Sequence, residues 1–89
     1  MPTVRLPATL RPLVDGAVQV PVDGADVAAV IADLVARHPA VEDRILVDGR
    51  VAPWLNVFVG TDDVRTGRGI ATSVDTRDVV TLVPAVAGG

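Results

Sequence analysis

The 89-residue sequence closes on two glycines, Gly88 and Gly89, and a backbone ending in Gly-Gly carries its carboxylate on a thin tether with no side chains. Without a Cβ, glycine passes through narrow channels and reaches φ values closed to other residues, which suits a tail inserted into another protein's active site. A terminal α-carboxyl has a reference pKa of about 3.3–3.7, so near neutral pH it is a deprotonated oxygen nucleophile that needs no general base. The competing reading is a frayed terminus, because chain ends are commonly poorly ordered. The residues that precede the pair decide between them.

Few other residues carry chemistry. The sequence has no cysteine, which removes disulfides, thiolate metal sites and a cysteine nucleophile. His38 is the single histidine; it stands before Pro39 with no serine or acidic partner at a recognisable spacing, and reads as a cap that suits a helix C-terminus. The acid pairs Glu42-Asp43 and Asp62-Asp63 read as solvated turns. Gly67-Arg68-Gly69 lacks the spacing of a phosphate-binding loop and reads as a simple turn. Arg65 and Arg68 are weaker candidates for contact with an acidic partner. With no nucleophile, metal cluster or acid/base pair, an enzyme acting alone is not expected.

Composition narrows the partners. The net charge is −3, and the eight basic residues are all arginines scattered along the chain, which argues against nucleic-acid binding. Without lysine, chains linked through internal lysines cannot form. The longest wholly apolar run, Val27 to Ala32, is too short to span a bilayer, and the Met1-Pro2-Thr3 start lacks the features of a signal peptide. A cytoplasmic protein is expected. A chain of this length forms one domain with one modest core.

The elements that must position the tail are marked by periodicity. Thr3 to Leu6 alternates polar and apolar as a half-buried strand does, with Val4 and Leu6 inward. Val14-Asp15-Gly16 signals a turn, and Ala17 to Val20 reads as a hairpin partner. Asp26 is a good N-cap, and Val27, Val30, Ile31, Leu34 and Val35 form one apolar stripe on a helix ending near His38-Pro39. Ala40 to Ala52 reads as a connection holding a short helical turn around Glu42-Asp43-Arg44 and an Asp48-Gly49 turn. Trp54 to Val59 is a third strand followed by a turn at Gly60 to Asp63, and Asp78 to Val83 is the last strand, closed by Pro84.

This ββαββ order implies a mixed sheet covered on one face by a helix. Strand alternation then sorts the faces. If Val80 and Leu82 face the helix, Thr81 and Val83 face away; burying Leu55, Val57 and Val59 puts Trp54, Asn56 and Phe58 on that open face as well. Phe58 and Val83, with Arg5 nearby, form a candidate docking patch. Trp54 is alternatively a cover for the edge of the core.

The order resembles the β-grasp fold, with a mixed sheet of four to five strands and one main helix, and the closing segment Asp78 to Gly89 resembles the C-terminus of the MoaD/ThiS family of ubiquitin-like sulfur carriers. The stretches Asn56-Val57-Phe58-Val59, Asp63-Val64-Arg65, Gly69-Ile70-Ala71-Thr72, Val80-Thr81-Leu82 and Pro84 to Gly89 are similar to the CysO-type carriers of actinobacterial cysteine synthesis. Gly60 departs from the asparagine common in that family, and both residues tolerate φ > 0. The resemblance implies a β-grasp domain over residues 1–84 and a flexible Gly-Gly tail over residues 85–89.

The resemblance also implies a function. An E1-like adenylyltransferase/sulfurtransferase would grip Pro84, Ala85, Val86 and Ala87 together with the Phe58 and Val83 patch. The Gly89 carboxylate, extended by Gly88, would attack the α-phosphorus of ATP; the ATP belongs to the partner, and no cofactor is bound by this chain. Sulfide or an enzyme persulfide would displace AMP and leave a thiocarboxylate. For a CysO-type carrier the acceptor would be an aminoacrylate on a PLP-dependent cysteine synthase, with a zinc metallopeptidase releasing the product. The alternatives are a MoaD-like partner of the molybdopterin synthase large subunit, a ThiS-like carrier for another sulfur-transfer pathway, and a ubiquitin-like protein modifier.

Overall fold

The computed structural model describes residues 1–84. In chain order they form β1 (Thr3–Arg5), β2 (Gln19–Pro21), α1 (Val27–Arg37), α2 (Glu42–Ile45), β3 (Leu46–Val47), β4 (Arg50–Val51), β5 (Leu55–Val59), β6 (Asp62–Asp63) and β7 (Val79–Pro84), with short 3-10 turns between them. The tail expected over residues 85–89 lies outside the described residues.

Five strands make one mixed sheet in the order β2-β1-β7-β5-β6. The first and last strands meet at its centre: β1 and β7 run parallel, with Val4 opposite Val80 and Arg5 opposite Thr81, whereas the other pairs are antiparallel. This is the expected β-grasp arrangement, a twisted sheet with α1 packed on one face. Strand β2 ends in Pro21, which an edge strand accommodates because no neighbour needs its missing N–H.

Helix α1 starts as its sequence dictates. The Asp26 carboxylate accepts a hydrogen bond from the Ala29 N–H at 2.8 Å, satisfying a donor that the first turn leaves free. Its stripe of Val27, Val30, Ile31 and Leu34 is buried. The helix ends where expected, with His38 as its C-cap donating its backbone N–H to the Leu34 carbonyl at 2.8 Å. Just before the helix the chain presses against it at Gly24, where a Cβ would sit 2.6 Å from the Val30 nitrogen and φ is +151°. No other residue type fits there without moving the helix.

The core is aliphatic. Leu34, Ile45, Leu82, Val4, Val57 and Val80 are almost fully enclosed, each burial contributing about 1.5–3 kcal/mol. The chain's single Phe and single Trp both lie outside this buried set.

The structure refines several sequence expectations. The helical turn expected at Glu42-Asp43-Arg44 is α2, and the Asp48-Gly49 turn closes a separate two-stranded sheet, β3 with β4, with φ of +53° and +77° at its two turn residues. Asp62 and Asp63 are not a plain turn; they form the edge strand β6, paired with Val59 and Phe58. Gly60 takes φ of +61° in the turn between them, a conformation glycine adopts freely. Trp54 falls outside the strand expected to contain it, since β5 begins at Leu55. Among the described residues no helix is long and apolar enough to cross a membrane.

Candidate functional site

Strand β7 carries the chain to the expected tail, and it is held along its length. Leu55 stands opposite Pro84, Asn56 opposite Val83, Val57 opposite Leu82, Phe58 opposite Thr81 and Val59 opposite Val80. Val80 and Leu82 are buried beneath α1, so the strand leading to the tail is anchored by core packing on one face.

The opposite face is open. The strand registers place Asp63, Phe58, Thr81, Arg5 and Gln19 in one row across five strands. With strands about 4.8 Å apart, Arg5 stands about 10 Å from Phe58. Phe58 and Val83 share this face, as alternation predicts, but as a diagonal pair: Val83 meets Asn56 directly, and diagonal neighbours are about 7–8 Å apart. Phe58 is half-buried and Val83 is exposed. Val79 is exposed to the same degree as Val83 and adds an apolar residue that the candidate patch omitted; the alternation through Val80 and Leu82 was the signal for it. Asn56 contributes a buried side-chain oxygen, Oδ1, with no hydrogen-bond partner among the described residues.

The remaining candidates separate from this patch. Trp54 leaves the open face and lies at the end of the sheet, where its indole N–H donates to the Arg44 carbonyl at 3.2 Å. That placement departs from the open-face expectation because α2 packs against the turn that precedes β5. Arg65 is held locally: its guanidinium and its backbone N–H both donate to the Asp63 carboxylate, at 3.2 Å and 2.9 Å, and together they hold that carboxyl below its usual range. Gly67 and Gly69 lie in and beside two short 3-10 turns. Among the described residues no three His, Asp or Glu side chains gather into a group suited to a metal ion. Pro84 ends β7 and is exposed. Ala85, Val86, Ala87, Gly88 and Gly89 lie outside the described residues.

A family model described as the ThiS family matches residues 4–89, nearly the whole sheet and the closing Gly88-Gly89 pair. The chain belongs to the ThiS family. Its relatives include the sulfur carrier protein CysO of Mycobacterium tuberculosis, 38% identical over 90 residues that cover 98% of this chain and 97% of that protein. Small archaeal modifier protein 3 of Haloferax volcanii is 37% identical over 67 residues, covering 75% of this chain and 73% of that protein. In three dimensions this ThiS-family chain is similar to a chain in the crystal structure of the Amycolatopsis orientalis BexX/CysO complex, with a TM-score of 0.91, 35% identity and full coverage of both chains.

Proposed function

We propose that this ThiS-family protein is a sulfur carrier of the CysO type, acting as a substrate of other enzymes, with residues 1–84 as the body and 85–89 as the working tail. The observation that carries this reading is the family match over residues 4–89, which reaches Gly88-Gly89. It is supported by near-complete alignment with a protein named sulfur carrier protein CysO.

In this scheme the Gly89 carboxylate oxygen attacks the α-phosphorus of ATP held by an E1-like adenylating enzyme. Pyrophosphate leaves, and the tail becomes an acyl-adenylate. The sulfur of hydrosulfide then attacks the acyl carbon, the C–O bond to AMP breaks, and a thiocarboxylate remains. Its sulfur adds to the β-carbon of an aminoacrylate held by a PLP-dependent cysteine synthase, which joins a cysteine to Gly89 as a thioester. Transfer of the acyl group from sulfur to the amine gives an amide, which a zinc metallopeptidase hydrolyses to free the amino acid and the carrier.

Intact-mass spectrometry tests this directly. Incubation with the adenylating enzyme, ATP and sulfide should exchange one oxygen for sulfur at Gly89, and subsequent addition of the cysteine synthase with its activated serine substrate should add one cysteinyl residue. A mass that never changes overturns the carrier reading. Similarity to an archaeal modifier protein favours one second reading, a protein modifier joined to lysines of other proteins; its signature is accumulation of isopeptide conjugates with no thiocarboxylate.

A further inference from the structure

On the carrier reading, Gly89 enters another protein's active site, and the docking subsite inferred from the body rests on that reading. Gly89 is five residues beyond Pro84. Extended chain spans at most about 3.3–3.6 Å per residue, so the reacting carbon stays within about 18 Å of Pro84. An enzyme that encloses that carbon therefore also covers the surface around Pro84.

That surface contains a groove of about 180 Å³ bounded by Pro84, Pro7, Leu10, Leu55, Trp54 and Arg44. Leu10 and Leu55 are nearly buried and make the floor apolar, while Trp54 is 44% exposed. The indole is fixed in place by its hydrogen bond to the Arg44 carbonyl. The Arg44 side chain is exposed and makes no ion pair among the described residues. A flat aromatic wall, an aliphatic floor and one uncommitted guanidinium are what a buried apolar anchor with a neighbouring carboxylate requires, since arginine binds carboxylates in a planar fork and Trp and Arg dominate interface energetics. The groove stands apart from the open-face patch of Phe58, Val79 and Val83.

We propose that this groove is a specificity-determining subsite for the enzyme that adenylates the tail, receiving one apolar side chain of that enzyme while an adjacent carboxylate binds Arg44. The contact forms when the tail enters the active site and sets affinity for the carrier, leaving the chemistry at Gly89 untouched.

Pyrophosphate release by the adenylating enzyme, followed as a function of carrier concentration, tests this with the full chain. Trp54→Ala and Arg44→Glu should each raise KM by about tenfold or more with kcat within about twofold, the expected effect of removing an interface anchor. The Arg44→Glu effect should shrink at high salt, because exposed charge pairs are screened. Val47→Ser, on the separate hairpin, should change neither constant. Thermal melts of all three variants check folding, and Arg44→Glu, an exposed side chain, keeps the test open if Trp54→Ala melts early. Unchanged KM in both variants, or a fall in kcat at unchanged KM, overturns the subsite while wild-type turnover leaves the carrier reading standing. Wild-type protein that releases no pyrophosphate and gains no sulfur overturns the carrier reading, and the subsite falls with it.

Discussion

Asn56 on β5 stands directly opposite Val83 on β7, so a buried amide oxygen without a hydrogen-bond partner among the described residues sits beside an exposed valine on the open face of the sheet. An unsatisfied buried acceptor costs about 1–3 kcal/mol, and asparagine is a poor strand former. Strand β5 is therefore less stable than its packing allows, at the face proposed for docking. Asn56→Val should raise stability by about 1 kcal/mol, a rise in Tm of roughly 4–8 °C for a domain of this size. Thermal unfolding followed by circular dichroism checks it; an unchanged or lower Tm would mean that the Asn56 oxygen is satisfied in solution.

Val83 and Phe58 differ in burial, and their variants should differ accordingly. Val83→Asp alters an exposed side chain and should leave Tm nearly unchanged while raising KM for the adenylating enzyme about ten- to a hundredfold, or about 1.4–2.8 kcal/mol. Phe58→Asp affects a half-buried ring and should lower both affinity and Tm. Equal turnover by wild type and Val83→Asp at limiting carrier concentration would remove the open face from recognition.

At Gly24 a methyl group would fall 2.6 Å from the Val30 nitrogen and 2.9 Å from the Ala29 carbonyl carbon, with φ already at +151°. Both atoms are helix backbone and cannot turn aside. Gly24→Ala should destabilise the domain by about 2 kcal/mol or more, read as a lower midpoint in urea with an unchanged slope. A variant as stable as wild type would show that the approach of this loop to α1 is looser than described.

Asp33 accepts the Asp23 N–H at 2.7 Å and the Arg37 guanidinium at 2.6 Å. The backbone hydrogen bond, followed by the Arg37 contact, holds its carboxyl below the usual value near 3.8. A carboxyl with a lowered folded-state pKa adds stability that is fully present above its unfolded pKa and is lost as pH falls through the folded one. Asp33→Asn should therefore flatten the fall in Tm below about pH 4 and change the profile little in shape above pH 5. An identical acid limb in the variant would show that Asp33 is not linked to folding.

Deleting Gly89 should abolish the oxygen-for-sulfur exchange seen by intact mass while leaving Tm unchanged, because among the described residues the buried core runs from Val4 to Leu82. A drop in stability on that deletion would show that the end of the chain packs on the body.

Much of this molecule is legible along the chain because its main elements carry a period. The i, i+3, i+4 stripe through Val27, Val30, Ile31 and Leu34 and the alternation through Val80 and Leu82 each mark a buried face, and Asp26 marks where the helix begins. The strands β3, β4 and β6 are two residues long and show no period at all; tertiary pairing alone makes them strands. Val79 was legible by the same alternation that exposed Val83.

The residue sequence by itself determined the chemistry on offer and the fold class: no cysteine, an aliphatic core with one helix stripe, and Gly-Gly at the close, since these depend on residue identity and local periodicity. The tertiary structure decided which residues meet. Parallel pairing of β1 with β7 brought Arg5 into the row of Phe58 and Thr81, and docking of α2 took Trp54 from the open face to a groove beside Pro84. Those neighbours are separated by long stretches of chain, and only packing of the whole domain brings them together.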